Sequence, residues 1–401
     1  MLPIITLKKG KTESLRRYHP WIFSGAIAEI SQNLHEGDIV KVVSATGDFL
    51  AIGHFQTGSI AVRVLSFETR NIDELFWRER IREAWKLRQS LNLINDKNNI
   101  FRLVHGEGDR LPGLVVDIYK DTAVMQAHST GMHLCRKDIA EAIILETDGY
   151  IKNVYYKSDT TLPYNAELDE REGFLVGNTD NNTAKENDLN FHIDWLCGQK
   201  TGFFVDQREN RLLLEKYSAN KRVLNMFCYT GGFSVYALRG GAKKVVSVDA
   251  SETAIRLTER NITLNFPETS NHSAYAEDAF RYLDKLPFPD SPGFKENSFD
   301  LIVLDPPAFA KHRSAIRNAL KGYTRLNLAA MKKISHGGIL FTFSCSQAIN
   351  TEQFRLAVFT ASAQSGRHVR ILHQLHQPAD HPINIFHPEG EYLKGLVLYV
   401  E

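Results

Sequence analysis

The chain has 401 residues, 43% of them hydrophobic and 24% charged, with a formal net charge of +1. That length exceeds one ordinary core, so two or three domains are expected. The near-zero charge excludes a global basic field, and any nucleic-acid partner has to be met by local patches.

The first stretch, up to about Phe67, reads as strand-rich. Asp38 to Val43, Phe49 to Gly53 and Ile60 to Leu65 are short β-branched runs broken by Gly37, Gly47, Gly53 and Gly58, a spacing that suits a small barrel. It opens with Lys8, Lys9, Lys11, Arg16 and Arg17, followed by Tyr18-His19-Pro20-Trp21. Basic residues beside aromatics suit RNA, through phosphate contacts and stacking. A solvated loop leading into a Trp-anchored core explains the same residues equally well. Asn71 to Leu91 reads as a linking helix capped by Asn71, with Leu75, Phe76, Ile81 and Trp85 at helical spacing.

From about Ile100 to Trp195 the pattern is that of a small α+β domain. Leu114 to Tyr119 and Thr122 to Ala127 are expected to pair across Lys120-Asp121, Leu134 to Leu145 to be helical, and Ile151 to Tyr156 to be a strand. Asn178 to Asn190, rich in Asn, Asp and Thr, reads as a loop or turn rather than core. From about Leu196, strands alternate with helices, the signature of a doubly wound, mostly parallel sheet. Its strand candidates are Arg222 to Met226, Lys244 to Val248, Leu301 to Leu304 and Gly338 to Phe343, with Arg370 to Gln374 and Gly395 to Val400 closing the edge. The expected division is 1–70 (barrel), 71–195 (linker helix and middle domain) and 196–401 (Rossmann-like domain).

Cys135, Cys197, Cys228 and Cys345 are scattered without a CxxC pair. This argues against a zinc ribbon or a disulfide framework and fits a reducing cytoplasm. Met1 to Leu7 lacks the basic leader and apolar core of a signal peptide, and no apolar run reaches membrane-spanning length. A soluble, cytoplasmic protein is expected, with no membrane partner. His373, His376, His381 and His387 match no standard ligand spacing, so no metal is expected; His381 is placed nearer the active site.

The chemistry-bearing motifs lie in the last stretch. Val223 to Ser234 is a strand, a glycine turn (Gly231-Gly232) and a helix start, where the backbone can approach a ligand and the helix N-terminus favours an anionic group. The dinucleotide fingerprint G-x-G-x-x-G is absent. Asp249 ends the next strand, the place for a carboxylate accepting ribose hydroxyls, and Asp278 suits an adenine amino group. Asp305-Pro306-Pro307 follows the fourth strand, and Phe341-Thr342-Phe343-Ser344-Cys345-Ser346 the fifth.

In this order the pieces resemble class I S-adenosylmethionine-dependent methyltransferases, and Asp-Pro-Pro resembles the segment with which nucleic-acid members grip the target base. Members that methylate amines usually carry an aromatic directly after Pro-Pro; here Ala308 stands there and Phe309 comes one later. The Thr-Phe-Ser-Cys-Ser run resembles the catalytic cysteine segment of RNA cytosine-5 methyltransferases. With no cysteine in the Asp-Pro segment, the chain resembles the single-cysteine branch, the bacterial 23S ribosomal RNA cytosine-5 methyltransferases with an N-terminal PUA domain. The likeness extends to Ser14 through Gly25, Lys200 through Arg211, Asp380-His381-Pro382 and Pro388 through Gly395.

The resemblance implies Cys345 as the nucleophile that adds to carbon-6 and Asp305 as the group that orients the base. It implies S-adenosylmethionine held by Gln207, Arg208, Phe227, Tyr229, Thr230, Gly231, Asp249, Asp278 and Asp305. Large-subunit ribosomal RNA would be held by Pro306, Pro307, Phe309, Arg16, Arg17 and Trp21. A homodimer stays open. So do a guanine or adenine N-methyltransferase on the same scaffold, a non-catalytic RNA-binding assembly factor, and a small-molecule methyltransferase.

Overall fold

A computed structural model describes residues 2–163, 168–169, 171–289, 291–292, 298–310 and 312–401. The chain divides into two compact units: Met1–Asp188 with Ile193–Val205 and Ala379–Gly390, and Leu189–His192 with Asp206–Pro378 and Glu391–Glu401.

The first unit contains two sheets. Strands β1 (Ile4–Leu7), β2 (Trp21–Phe23), β3 (Ile27–Ile30), β4 (Ile39–Val43), β5 (Phe49–Phe55) and β6 (Ile60–Ser66) form a six-stranded sheet in the order β2-β6-β5-β4-β1-β3. Alternate residues such as Ile5, Leu7, Val40, Val42 and Val62 point into one core. At Gly53 the sheet closes tightly, for a Cβ there would sit 2.3 Å from the Arg63 carbonyl oxygen. The three runs read from the sequence are β4, β5 and β6. The short strands β1, β2 and β3 escaped because three or four residues carry too little periodicity.

The helix Glu74–Ser90 follows. Its cap is Asp73, whose Oδ1 accepts from Phe76 N at 3.2 Å, and not the expected Asn71. Phe76, Trp77, Ile81 and Trp85 are buried by it, while Leu75 is 69% exposed. The second sheet comprises β7 (Ile100–His105), β8 (Leu114–Tyr119), β9 (Thr122–Ala127), β10 (Asn153–Lys157) and β11 (Glu172–Val176), ordered β11-β10-β9-β8-β7. The expected β8–β9 hairpin is present, with Lys120 in left-handed φ at its turn. The expected helix is Arg136–Glu146. The Asn-rich segment read as loop instead holds two short strands, β12 (Thr183–Glu186) and β13 (Leu189–His192). Asn187 and Asp188 both take left-handed φ between them, a turn these residue types tolerate.

The second unit is built on strands β14 (Arg222–Met226), β15 (Lys244–Asp249), β16 (His272–Ala276), β17 (Leu301–Leu304), β18 (Gly338–Ser344), β19 (Val369–Leu375) and β20 (Lys394–Val400). Their order is β16-β15-β14-β17-β18-β20-β19. The first five run parallel, and β20 lies antiparallel between β18 and β19. Both faces are covered. Leu224, Ile302, Leu304 and Leu340 pack on one side with Tyr323, Leu326 and Phe354; Val223, Leu301, Val303 and Phe341 pack on the other with Leu214 and Phe233. That two-sided burial is why these strands read as mostly apolar runs without a polar face. Only β16 went unnoticed: His-Ser-Ala-Tyr-Ala is an edge strand with little apolar content.

Candidate active site

The order of strands reverses between β14 and β17, so their C-terminal ends open a crevice of the kind that binds ligands in such sheets. Out of β14 the chain enters a tight turn in which Phe227, Tyr229 and Gly231 have φ of 59°, 48° and 76°. Glycine takes this region freely; an aromatic residue does so at a cost and only where its surroundings hold it. Those surroundings are visible. Asp249 at the end of β15 accepts from Tyr229 N through Oδ2 at 3.0 Å and from Ser251 N through Oδ1 at 2.9 Å. Thr258 Oγ1 donates to the Tyr229 carbonyl at 2.9 Å, and Asn261 Nδ2 to the Thr230 carbonyl at 2.8 Å. A Cβ on Gly231 would lie 2.7 Å from Thr258 Cγ2, so the glycine is required for approach as well as for φ.

Asp278 caps the helix Ala279–Lys285, with Oδ1 accepting from Arg281 N at 3.0 Å. Gln207 and Arg208 are buried at the start of the helix Arg208–Tyr217. Gln207 Nε2 donates to Asp305 Oδ2 at 3.0 Å, while its Oε1 accepts from Asn210 at 2.6 Å. One amide thereby ties the first helix to the Asp-Pro-Pro loop.

Strands β17 and β18 are neighbours in register, Leu304 opposite Thr342, so the segments leaving them are brought side by side. Cys345 Sγ lies 3.9 Å from the Pro306 carbonyl oxygen, to which it donates. Pro306 is buried and Pro307 exposed. A hydroxyl network fastens the two segments together: Ser344 Oγ donates to Tyr323 Oη at 3.0 Å, Tyr323 shares a 3.1 Å bond with Ser346 Oγ, and Ser346 Oγ accepts from Ala310 N at 3.3 Å. Burial pushes the Tyr323 phenol up, against its bonds to Ser344 and Ser346, so it stays a neutral donor. The Phe309 ring packs on Tyr323, centroids 4.6 Å apart.

Opposite Ser344 stands Lys394 on β20. Its ammonium donates to the carbonyls of Ser346 and Tyr392 at 2.7 and 2.6 Å. Burial lowers its pKa to about 8, with the charges of Cys345 and Glu391 pulling it back up. By contrast, burial pushes the Cys228 thiol up to about 12, which leaves it inert.

The structure thus brings Gln207, Arg208, Phe227, Tyr229, Thr230, Gly231, Asp249, Asp278, Asp305, Pro306, Pro307, Phe309 and Cys345 into one unit. Arg16, Arg17 and Trp21 belong to the other. There, Arg16 and Arg17 are exposed, with Arg17 paired to Glu13. Trp21 is half-buried: its indole N–H donates to Glu107 at 2.7 Å, and Arg63 and His387 pack against its ring. His381 is also in the first unit, its ring 5.0 Å from that of His105. Tyr323, Thr258, Asn261 and Lys394 were not singled out from the sequence. Tyr323 and Asn261 lie within ordinary amphipathic helices, and nothing local marks them. No group of three or more metal-ligating side chains is found among the described residues, and no described helix is long and apolar enough to cross a membrane.

This fold and crevice define a class. Residues 169–388, more than half of the chain, match the S-adenosylmethionine-dependent methyltransferase family, and residues 5–67 match a PUA-like domain. Among solved structures, a protein of Streptococcus mutans assigned as a SAM-dependent methyltransferase superposes over 100% of both chains with a TM-score of 0.83 at 21% identity. A second structure, assigned as a methyltransferase and complexed with SAH, does so with a TM-score of 0.84 at 21% identity. Curated proteins called ribosomal RNA large subunit methyltransferase I are closer in sequence. That of Tolumonas auensis is 38% identical over 99% of both chains, that of Aeromonas salmonicida 39% over 99%, and one from Escherichia coli 36% over 99%. The chain belongs to this family of S-adenosylmethionine-dependent methyltransferases, and S-adenosylmethionine is its cofactor.

Proposed function

We propose that the protein methylates carbon-5 of a cytosine in large-subunit ribosomal RNA through a covalent adduct of Cys345. The observation that carries this reading is the placement of a half-buried thiol within 3.9 Å of the Asp305-Pro306-Pro307 segment, at the end of the adjacent strand. The names of the relatives support the ribosomal RNA substrate.

The residues around the glycine turn fit the cofactor. The Asp249 carboxylate, fixed by two backbone N–H groups, keeps lone pairs for ribose hydroxyls. Asp278 uses one oxygen as a cap, and its other suits the adenine amino group. Phe227, Tyr229, Thr230 and Gly231 form the cradle above the helix N-terminus, and Gln207 and Arg208 border it. S-adenosylmethionine would supply an electrophilic methyl group on a sulfonium, whose S–CH3 bond breaks on transfer so that S-adenosylhomocysteine leaves.

Carbon-5 of cytosine is a poor nucleophile until a group adds at carbon-6. The Cys345 thiolate forms the S–C6 bond, pushing the C5=C6 electron pair through the ring and making carbon-5 enamine-like. Once carbon-5 carries the methyl group, Asp305, or water held by it, takes the C5 proton. The released electron pair re-forms C5=C6 and expels the Cys345 thiolate. Asp305 also orients the base through N3 or its amino group, and Pro306 and Pro307 keep that loop rigid. Residues 1–70, with Arg16 and Arg17 exposed, would bind RNA, 71–195 would link and position, and 196–401 would carry the chemistry. The half-buried, hydrogen-bonded Trp21 fits an anchor for the loop that presents them better than a stacking platform.

Mapping 5-methylcytosine across 23S ribosomal RNA from cells with and without the protein tests this reading. One cytosine should lose its methyl group in the deletion and regain it with the wild-type gene, but not with a Cys345→Ala gene. A lost methyl on a guanine or adenine instead, or full complementation by Cys345→Ala, would refute it.

A further inference from the structure

A surface helix is stabilised by acids in its first turn and by charges of opposite sign four residues apart. The helix Ile316–Lys333 has neither. It carries Arg317, Lys321, Arg325, Lys332 and Lys333 and no acidic residue, and Arg317 stands in the first turn, where the macrodipole favours an anion. Lys332 and Lys333 lie in the last turn, where the dipole accounts for them. Arg317, Lys321 and Arg325 are left over. They recur every four residues, so they share one face at steps of about 6 Å along the axis, and all three are exposed. Among the described residues no carboxylate pairs with any of them. Like charges at this spacing repel, so the stability of the helix does not explain the stripe.

The stripe borders a groove. Lys321 and Arg325, with Leu320, line a cavity of about 410 Å³ whose other wall is the helix Thr351–Ser365, through Gln353, Ala357 and Gln364. No acidic residue is among its described lining. Thr324 Oγ1 donates to the Ala357 carbonyl at 3.3 Å and fastens the two helices together. The Arg325 guanidinium sits over the Phe280 ring, 4.2 Å from its centroid. Held there, it can still direct its N–H groups at an anion.

The same helix seats the segment proposed to grip the base. Phe309 packs on Tyr323, and a Cβ on Gly322 would lie 3.0 Å from the Phe309 ring. Tyr323 is two residues from Lys321, about half a turn round the helix. One face therefore holds the Asp-Pro-Pro and cysteine segments, and the opposite face presents the charges.

We infer that the groove between these two helices is a track for the RNA strand flanking the target cytosine. Lys321 and Arg325 neutralise consecutive phosphates, and Gln353 and Gln364 meet the sugar 2′-hydroxyls, whose donor and acceptor an amide matches. Charge selects this occupant: two cations, no acid and two amides complement a polyanion with a ribose edge. The step of about 6 Å between the cations is comparable to that between phosphates of an extended strand. The track rests on the ribosomal RNA substrate proposed above and is independent of the covalent step.

The test uses the full-length protein and an in vitro transcript of 23S ribosomal RNA. Filter binding is followed against salt for wild type, Lys321→Gln/Arg325→Gln and the charge-conserving Lys321→Arg/Arg325→Lys. Loss of both cations should reduce the slope of log affinity against log salt by about 0.7 for each of two single-stranded phosphates. The unfolding midpoint and S-adenosylmethionine affinity should not change, and the charge-conserving pair should keep the wild-type slope. A folded Gln pair with wild-type slope and affinity would overturn the inference and leave the groove to a protein partner or to solvent. Should the Gln pair fail to fold, acetylation of Lys321 in the wild type decides, read by mass spectrometry. Bound transcript should slow it several-fold; an equal rate with and without bound transcript would overturn the inference. Cys345→Ala should bind and protect as wild type does, so loss of the covalent reading leaves the track standing. A wild type that binds no transcript would remove the ribosomal RNA reading itself, and the track with it.

Discussion

Several residues of the site are held by neighbours outside the proposed chemistry, and this supporting layer is where mutation is most informative. Tyr323 is the clearest case, its one hydroxyl binding Ser344 and Ser346 on either side of Cys345. Tyr323→Phe keeps the packing against Phe309 but removes both bonds. The expected loss is about 1–2 kcal/mol of positioning, read as a roughly 10-fold lower kcat with unchanged S-adenosylmethionine affinity. An unchanged kcat would show the network to be decorative. Gly231→Ala is expected to cost about 2 kcal/mol in denaturant unfolding, because the left-handed φ and the 2.7 Å approach to Thr258 penalise the same methyl group.

Lys394 gives the pH dependence a definite sign. Its pKa is lowered to about 8 by burial, so native protein sheds this proton before unfolded protein does. Between about pH 8 and the ordinary lysine range the unfolded chain binds more protons, and the group's contribution to stability rises with pH. Denaturant unfolding across this interval checks it: wild type should gain stability relative to Lys394→Met as the pH rises from about 8 towards the ordinary lysine range, and a constant difference would contradict it.

Elements were legible in the sequence to the degree that their burial was two-sided or their turns were chemically marked. The strands that became β14, β15, β17 and β18 were readable because both faces are buried, leaving mostly apolar runs ahead of Gly231, Asp249, Asp305 and Cys345. The edge strand β16 and the three- and four-residue strands β1, β2 and β3 carry too few apolar side chains for a period to show. The Asn-rich segment misled for a different reason: its composition marks the Asn187-Asp188 turn but conceals the strands on either side. The helix Glu74–Ser90 offers a direct check on the corrected cap. Asp73→Ala should cost about 1 kcal/mol in unfolding free energy and Asn71→Ala almost nothing; the reverse ranking would restore the original assignment.

At the scale of the whole molecule, the order of motifs along the chain was readable, and what the sheet does with them was not. Antiparallel insertion of β20 between β18 and β19 carries Lys394 from the end of the chain to Ser344. No local pattern announces a partner about fifty positions away. Composition had already excluded a global basic field, so the proposed RNA contacts of Arg16 and Arg17 are a matter of local charge. Replacing both by Ala should weaken binding to ribosomal RNA and reduce the slope of log affinity against log salt by about 1–2, with S-adenosylmethionine affinity unchanged. An unaltered slope would place the RNA contacts elsewhere.

The covalent role of Cys345 is the centre of the account, and 5-fluorocytidine in the target RNA addresses it most directly. Fluorine at carbon-5 cannot leave as the proton does, so the cycle halts after methyl transfer with the S–C6 bond intact. Wild-type protein with S-adenosylmethionine should therefore give a denaturant-resistant protein–RNA adduct, with the crosslinked peptide containing Cys345, and Cys345→Ala should give none. A wild-type protein that methylates ordinary cytidine in the same RNA yet forms no adduct with the fluorinated one would contradict it.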